Sequence, residues 1–366
     1  MEVGFNFISF VFFLSFIILL HTQWRKKAKT RRKLPPGPWK LPIIGNLHQL
    51  SGSSQQPTHR VLGELVKKYG SQGMMKLQIG EILAVVVSSP AVAKELLRTH
   101  DLTFATRWQS LASKTLFYNG LGVVFSPYGD YWRQLRKVYA IELLSAKNVR
   151  SFSSIRHDEI RCLLADLHSS SGQLVNFTDK IFLLMSSIIC KSAFGKVFTG
   201  REELLEQIKE ISELLGEFDF ADVFPSWKVL HGLCSNKKRI MKTHRKVDVI
   251  IENIIKERKV ESGDCLIDVL IAQMDSGNLQ LPITPDNIKG VIVETFAAGS
   301  ETSASTSVWA MSEMMKNPRV LAKAQAEVRE AFRGKEKLEE EDMEELAYLK
   351  PVVKETLRFH ILRFPC

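Results

Sequence analysis

DNIKGVIVETFAAGSETSASTSVWAMSEMMK, residues Asp286 to Lys316, runs uncapped for 31 residues between Pro285 and Pro318. As one helix it would span roughly 46 Å and must cross a whole domain. Its middle, Ala297-Ala298-Gly299-Ser300-Glu301-Thr302-Ser303, gathers Gly, Ser and Thr, which weaken a helix that is otherwise well formed. Such a weak point inside a central helix suggests a functional site. Ala298 and Thr302 stand four residues apart and share a face, and Gly299 would let something large and flat approach the backbone. The same small residues would equally permit a close helix crossing, and taken alone the stretch leaves both readings open.

Two further segments carry chemistry. In Tyr128-Gly129-Asp130-Tyr131-Trp132-Arg133-Gln134-Leu135-Arg136-Lys137, helical spacing puts Trp132 and Arg136 on one face and Arg133 with Lys137 on another. A guanidinium is a rigid, permanently charged fork of donors suited to a ligand carboxylate, and an indole N–H can assist beside it. A basic surface helix with a buried Trp is the plainer alternative. Near the end, Lys354-Glu355-Thr356-Leu357-Arg358 sets Glu355 and Arg358 three apart, which by itself reads as an ordinary surface ion pair.

Around these segments the chain reads as mainly α with a small β-sheet. Leu62, Leu65, Val66 and Tyr69 recur at helical spacing before Gly70, a C-terminal cap. Met74 to Ser89 is rich in β-branched residues around Gly80-Glu81 and predicts a hairpin, followed by Ser89-Pro90 as cap and first-turn proline of another helix. From Pro127 onward apolar-periodic stretches dominate, and Glu339-Glu340-Glu341-Asp342 reads as a solvated helix start or loop. No repeat period emerges.

The chain has 366 residues, 45% apolar and 25% charged, enough for a large core in one or two domains. Its net charge of +10 is concentrated at the start, where residues 1–33 hold seven Lys/Arg against the single acid Glu2. A basic run abutting an apolar segment is a membrane-topology signal, so no nucleic-acid partner is expected. Cys162, Cys190, Cys234, Cys265 and Cys366 are scattered, with no C-x-x-C pair, which excludes a zinc-type site and argues against a disulfide framework. The sequon Asn176-Phe177-Thr178 is then a chance match in a cytosolic domain.

Val3 to Leu20 contains no charge and nearly crosses a bilayer core of ~30 Å. Because the basic cluster follows the apolar run, residues 1–22 are expected to stay as a single-pass membrane anchor with the remainder in the cytosol. Residues 23–48, basic and then proline-rich through Leu34-Pro35-Pro36-Gly37-Pro38-Trp39, form a stiff hinge, and residues 49–366 form the body.

Anchor, PPGPWKLPIIGNL hinge, WRQLRK helix, AAGSETS mid-helix and KETLR, in that order, resemble the plant microsomal cytochromes P450 over essentially the whole chain. Leu144 to Arg156 and FAAGSETSAST are most similar to the terpenoid-oxygenase branch of that family. The resemblance implies the cytochrome P450 fold and haem b as cofactor, with Trp132 and Arg136 contacting the haem propionates. Ala298 and Gly299 would line the oxygen side of the haem, Thr302 and Glu301 would deliver protons to bound dioxygen, and Glu355 with Arg358 would be structural. It further implies NADPH–cytochrome P450 reductase as electron donor and membrane lipid as a partner. A small apolar substrate, a terpenoid, would be shaped by Phe104 to Tyr118 and Glu217 to Phe224, and the chain would reside in the endoplasmic-reticulum membrane.

The family's Phe-x-x-Gly-x-Arg-x-Cys-x-Gly loop and the Pro-x-Arg-Phe segment before it are absent from these residues, and Cys366 lacks the context of a haem ligand. The expectation is a fold incomplete at its C-terminus, no protein metal ligand, and a chain that as written does not catalyse monooxygenation. A non-catalytic, membrane-anchored helical interaction protein, pairing through Arg133 and Lys137, is the competing reading.

Overall fold

A computed structural model describes residues 34–51, 58–217, 219–228, 235–260, 265–277, 280–335 and 340–360. The expected anchor, the basic half of the hinge, Cys234 and the tail from Ile361 to Cys366 lie outside the described residues. Among the described residues no helix is long and apolar enough to cross a membrane. The chain divides into two compact units, one of residues up to Asp101 with Val223–Ser226, the other Leu102–Asp222 with Trp227 onward.

In the first unit, helix α1 (Thr58–Tyr69) ends as its sequence predicts, the Gly70 amide donating to Val66 O at 2.8 Å. Strands β1 (Met74–Ile79) and β2 (Ile82–Val87) form the expected antiparallel hairpin, registered from Met74 opposite Val87 to Ile79 opposite Ile82. Period-two alternation turns Met75 and Leu77 inward, where they form a small core with Val66. Gly80 turns the hairpin at φ 56, a left-handed conformation that costs glycine little.

The described part of the proline-rich segment is fastened to this hairpin. Lys76 donates its amide to Pro36 O at 2.9 Å, and a Cβ on Gly37 would stand 2.2 Å from Lys76 O. Trp39 O accepts from Asn46 Nδ2 at 2.9 Å and from Gln49 Nε2 at 3.0 Å. After β2, Pro90–Lys94 is a single α-turn that widens into a π-helical turn over Glu95–Thr99, a change that propensities do not announce.

The second unit is helical. Its main elements are α2 (Asp130–Val138), continued by a π-turn at Tyr139–Leu143, then α3 (Ser153–Ser169), α4 (Phe177–Phe194), α5 (Arg201–Gly216) and α6 (Lys237–Val260). They are followed by α7 (Leu266–Ser276), α8 (Pro285–Lys316), α9 (Pro318–Ala331) and α10 (Leu349–Phe359). Asn176, read as a chance sequon, is the N-cap of α4: its Oδ1 accepts from the Asp179 amide at 3.3 Å. Glu340 of the acidic run is bound rather than merely solvated, since Arg156 donates to it through Nε at 2.5 Å and Nη2 at 2.7 Å.

Helix α8 is the trans-domain helix expected from its bracketing prolines. Thr284 and Asn287 close its start with a reciprocal capping box, Pro285 occupies the first turn, and Lys316 lies in the last. In its weak middle the hydroxyls bond back one turn, Thr302 Oγ1 to Ala298 O at 2.8 Å, Thr306 Oγ1 to Thr302 O at 2.8 Å, and Ser307 Oγ to Ser303 O at 2.9 Å, which satisfies them inside the helix without strengthening it. Residues Val291 to Ala297 are all buried, so this half of α8 is the axis of the core. Phe296 is wholly buried and stacks on Phe194 of α4, ring centres 6.3 Å apart, with Phe198 6.2 Å away.

Arg258 and Asp268 form an ion pair inside this unit with under a tenth of either side chain exposed. Arg258 Nε reaches Oδ1 at 3.0 Å and Nη2 holds Oδ2, while the Cys265 thiol donates to Oδ2 at 3.0 Å. Burial pushes the Asp268 carboxyl up, but the hydrogen bonds from Arg258 and Cys265 outweigh it and hold the group below the usual carboxylate range.

Candidate haem-binding site

Helix α2 and the π-turn that continues it are tied in three places to α8 and to the segment just before it. Gln134 exchanges hydrogen bonds with Leu281 at 2.7 and 3.1 Å, Asn287 Nδ2 donates to the Tyr131 hydroxyl at 2.6 Å, and the Tyr139 hydroxyl meets Thr295 Oγ1 at 2.8 Å. The last two of these bonds hold the helix that carries Trp132 and Arg136 against α8 between Asn287 and Thr295. Trp132 is half-buried and packs on Tyr128, ring centres 5.4 Å apart. Its indole N–H donates to Val123 O at 3.0 Å. Arg136 is exposed and has no ion pair or side-chain hydrogen bond among the described residues. Arg133 on the other face is engaged by Asp130 and by the Tyr128 hydroxyl.

The loop of residues 121–125 sits between α2 and α8. Leu121 O accepts from the Tyr131 hydroxyl at 2.5 Å, Val124 O from Arg107 Nη1 at 3.0 Å, and Phe125 O from Gln109 Nε2 at 2.6 Å. From α8, Glu294 Oε2 accepts the Val124 amide at 3.0 Å. The flanking amides of Val123 and Phe125 face the same carboxyl without reaching hydrogen-bond geometry, and Oε1 is left buried without a partner among the described residues. Glu294 is 3% exposed, and burial pushes its carboxyl up to about 7 against the pull of those amides and of Arg107.

Ala298 and Thr302 follow Glu294 at four-residue steps, so the three line one stripe of α8, and the latter two are half-buried. The Thr302 hydroxyl proton lies on Ala298 O, leaving the oxygen free to accept. Gly299 serves the helix crossing: a Cβ there would stand 2.6 Å from Ile189 Cδ1 of α4. Glu301 turns toward α5, where its Oε2 accepts from Ser212 Oγ at 2.8 Å.

Glu355 and Arg358 pair on α10, Nε to Oε2 at 2.8 Å, with more than half of each side chain exposed. Beside them, α8, α9 and α10 enclose a groove of about 270 Å³ lined by Met314, Val320, Pro351, Val352 and Phe359.

The structure links Trp132, through the Val123–Val124 peptide, to Glu294 one turn before Ala298, shows no hydrogen bond or ion pair from Arg136 to the Ala298–Thr302 stripe among the described residues, and leaves Glu355 and Arg358 on a separate helix. Glu294 was missed from sequence, although a lone acid in the apolar run VIVETF one turn before Ala298 was a visible signal.

Haem presents two carboxylates and a flat apolar face. A guanidinium without an internal partner suits a carboxylate, the indole N–H beside it being engaged by Val123 O, and a half-buried stripe of Ala298 and Thr302 suits an apolar macrocycle face. These residues fit the group. The axial ligand is not among the described cysteines: Cys162 is exposed on α3, burial pushes the Cys190 thiol up to about 12, and burial together with Asp268 raises that of Cys265. Among the described residues no cluster of His, Cys, Asp or Glu could hold a metal ion.

A family model described as Cytochrome P450 matches residues 35–362. Premnaspirodiene oxygenase of Hyoscyamus muticus is 53% identical, over 97% of this chain and 72% of that protein. 5-Epiaristolochene 1,3-dihydroxylase of Nicotiana tabacum is 51% identical, over 97% of this chain and 72% of that protein. Amorpha-4,11-diene 12-monooxygenase of Artemisia annua is 44% identical, over 95% and 70%. Among solved structures, a zebrafish cytochrome P450 with abiraterone shares the fold at TM-score 0.70 and 20% identity, covering 82% of this chain and 69% of that one.

Proposed function

The chain belongs to the cytochrome P450 family, a family of haem-dependent monooxygenases, and we propose from this that it serves the hydroxylation of a small apolar terpenoid with electrons from NADPH–cytochrome P450 reductase. Its location would be the endoplasmic-reticulum membrane, held by residues 1–22. The reading is supported by one observation: Trp132 and Glu294, one turn before Ala298 on α8, are joined through a single peptide, Val123–Val124.

Haem, when bound, supplies an iron that binds and activates dioxygen. The chain's own residues hold and screen it. Arg136 would clamp a propionate as a charged fork, with Trp132 beside it, and Ala298 would present a methyl group to the macrocycle and keep water off it. Thr302 Oγ1 can accept a proton from water while releasing its own from Ala298 O, which makes it the proton donor of this face. Glu301, held by Ser212, is the carboxylate that reloads it from solvent. The terpenoid would be positioned by apolar contact from residues 104–118 and 217–224.

The competing reading, a non-catalytic interaction protein pairing through Arg133 and Lys137, is not favoured: the relatives are oxygenases, and Asp130 and Tyr128 already engage Arg133, although Lys137 is exposed. Titrating the full chain with hemin tests the proposal. Saturable binding is expected, accompanied by quenching of Trp132 fluorescence and weakened in Arg136→Ala. Binding that neither quenches Trp132 nor responds to Arg136→Ala would overturn the site. Incubation of full-length microsomal protein with reductase, NADPH and a sesquiterpene hydrocarbon, read for addition of one oxygen atom, tests the reaction.

A further inference from the structure

Among the groups that the reaction above does not use, Glu294 stands apart. It is the one acid in the wholly buried stretch of α8, and its partner is a peptide rather than a cation. That peptide does two things at once. Its N–H, from Val124, donates to Glu294 Oε2 at 3.0 Å, and its C=O, from Val123, accepts the Trp132 indole N–H at 3.0 Å. The two bonds lie on opposite edges of one rigid plane, so rotation at one edge must displace the other.

The surroundings leave the carboxyl little freedom. A Cβ on Gly122 would stand 2.2 Å from Glu294 Oε2, and one on Gly290 would stand 3.3 Å from the Gly122 amide nitrogen, so the loop lies directly on α8. Both ends of the loop are held by groups that do not titrate near neutrality, the Tyr131 hydroxyl on Leu121 O and the Gln109 amide on Phe125 O. Only the centre depends on Glu294.

We propose that Glu294 is a positioning residue, which through the Val123–Val124 peptide sets the orientation of the Trp132 indole at the haem-carboxylate end of the site. The proposal rests on the haem assignment above for its consequence but not for the coupling itself. When the carboxyl is protonated, Oε1 can carry the proton and Oε2 accepts from Val124. Ionisation places charge on Oε1, which has no donor, and draws the Val123 and Phe125 amides toward it. Turning the loop in that way moves Val123 O away from Trp132. The charged and titratable groups facing Glu294 are Arg107, which favours ionisation, and the Tyr131 and Tyr139 hydroxyls, both of which remain protonated throughout. The switch therefore operates near neutrality.

The test is the tryptophan fluorescence of the full-length protein as a function of pH between about 5.5 and 8.5, taken as the difference between wild type and Trp132→Phe. A sigmoid centred near pH 7 is expected, and a flat profile in Glu294→Gln, whose amide oxygen still accepts from Val124 but does not titrate. A wild-type difference signal that does not titrate, or one that survives unchanged in Glu294→Gln, overturns the proposal. Should Glu294→Gln not fold, Glu294→Asp retains a carboxyl on a shorter arm and must move the midpoint; an unmoved midpoint is equally fatal. Hemin separates the two claims: quenching of Trp132 by hemin reports the haem assignment, whereas a flat titration in protein that shows such quenching defeats the coupling alone.

Discussion

Gly299 of α8 lies over Ile189 of α4, so close that a Cβ on the glycine would stand 2.6 Å from Ile189 Cδ1 and 3.0 Å from its Cγ1. The small residue that the sequence offered for either a cofactor or a helix crossing is therefore occupied by the crossing. Ala298 and Thr302 remain for a ligand.

Gly299→Ala sets two effects against each other. Alanine stabilises a helix interior by about 1 kcal/mol relative to glycine, whereas forcing a methyl group onto Ile189 costs about 1–3 kcal/mol. Ile189→Val removes the obstructing Cδ1 at a cost of about 0.5–1.5 kcal/mol. In a double-mutant cycle read by urea unfolding, the pair should be more stable than the sum of the single changes by about 1 kcal/mol. Additivity would mean that the two side chains do not meet.

Glu294 makes stability fall as pH rises. Its folded-state carboxyl titrates at about 7 against an ordinary value of 4.5, so between those limits the folded chain binds more protons than the unfolded one. The loss starts near pH 4.5, is complete above pH 7, and amounts to about 3 kcal/mol. Glu294→Gln removes it. The variant should gain stability over the wild type at pH 8 and little at pH 5, measured by thermal unfolding at both values; an equal change at both would deny that Glu294 titrates in the fold.

Asp268 behaves in the opposite sense. Its carboxyl is depressed in the folded chain, so its contribution is present above the ordinary carboxylate range and is lost as pH falls through the folded-state value. Asp268→Ala leaves the Arg258 guanidinium buried without its counter-charge and should cost about 3–5 kcal/mol at pH 7. Unfolding free energies from urea titration that differ by less than about 1 kcal/mol, a bound taken well below that range, would show that Arg258 finds water instead.

How much of this was legible beforehand depended on range. Helix α8 could be read because Pro285 and Pro318 bracket it, and the β1–β2 hairpin because β-branched runs flank Gly80-Glu81; both signals are local. The Thr284–Asn287 capping box was equally local and was overlooked. Glu294 could be noticed as a charge in an apolar run, but its partner Val124 lies 170 residues away, and nothing in either segment names the other. The π-turns at Glu95–Thr99 and Tyr139–Leu143 have no counterpart in residue propensities. Trp132 and Arg136 were singled out because two large polar-tipped side chains four residues apart must share a helix face.

Arg136 is the position where binding can be separated from folding. Its guanidinium is exposed and makes no ion pair or side-chain hydrogen bond among the described residues, so Arg136→Ala should leave the urea unfolding free energy of the hemin-free chain within about 0.5 kcal/mol of wild type. Trp132→Phe, in contrast, removes the bond to Val123 O and leaves a loop carbonyl without its donor, at a cost of about 1–3 kcal/mol. For hemin the order reverses. The charged fork contributes more to holding a propionate than one neutral N–H does, so Arg136→Ala should weaken hemin binding roughly tenfold or more, and Trp132→Phe by less. Raising the salt concentration should shrink the Arg136 effect and spare that of Trp132, because an exposed charge is screened and an indole N–H is not. An Arg136→Ala chain that binds hemin as tightly as the wild type at low salt would remove the acidic arms from this face and, with them, the haem assignment.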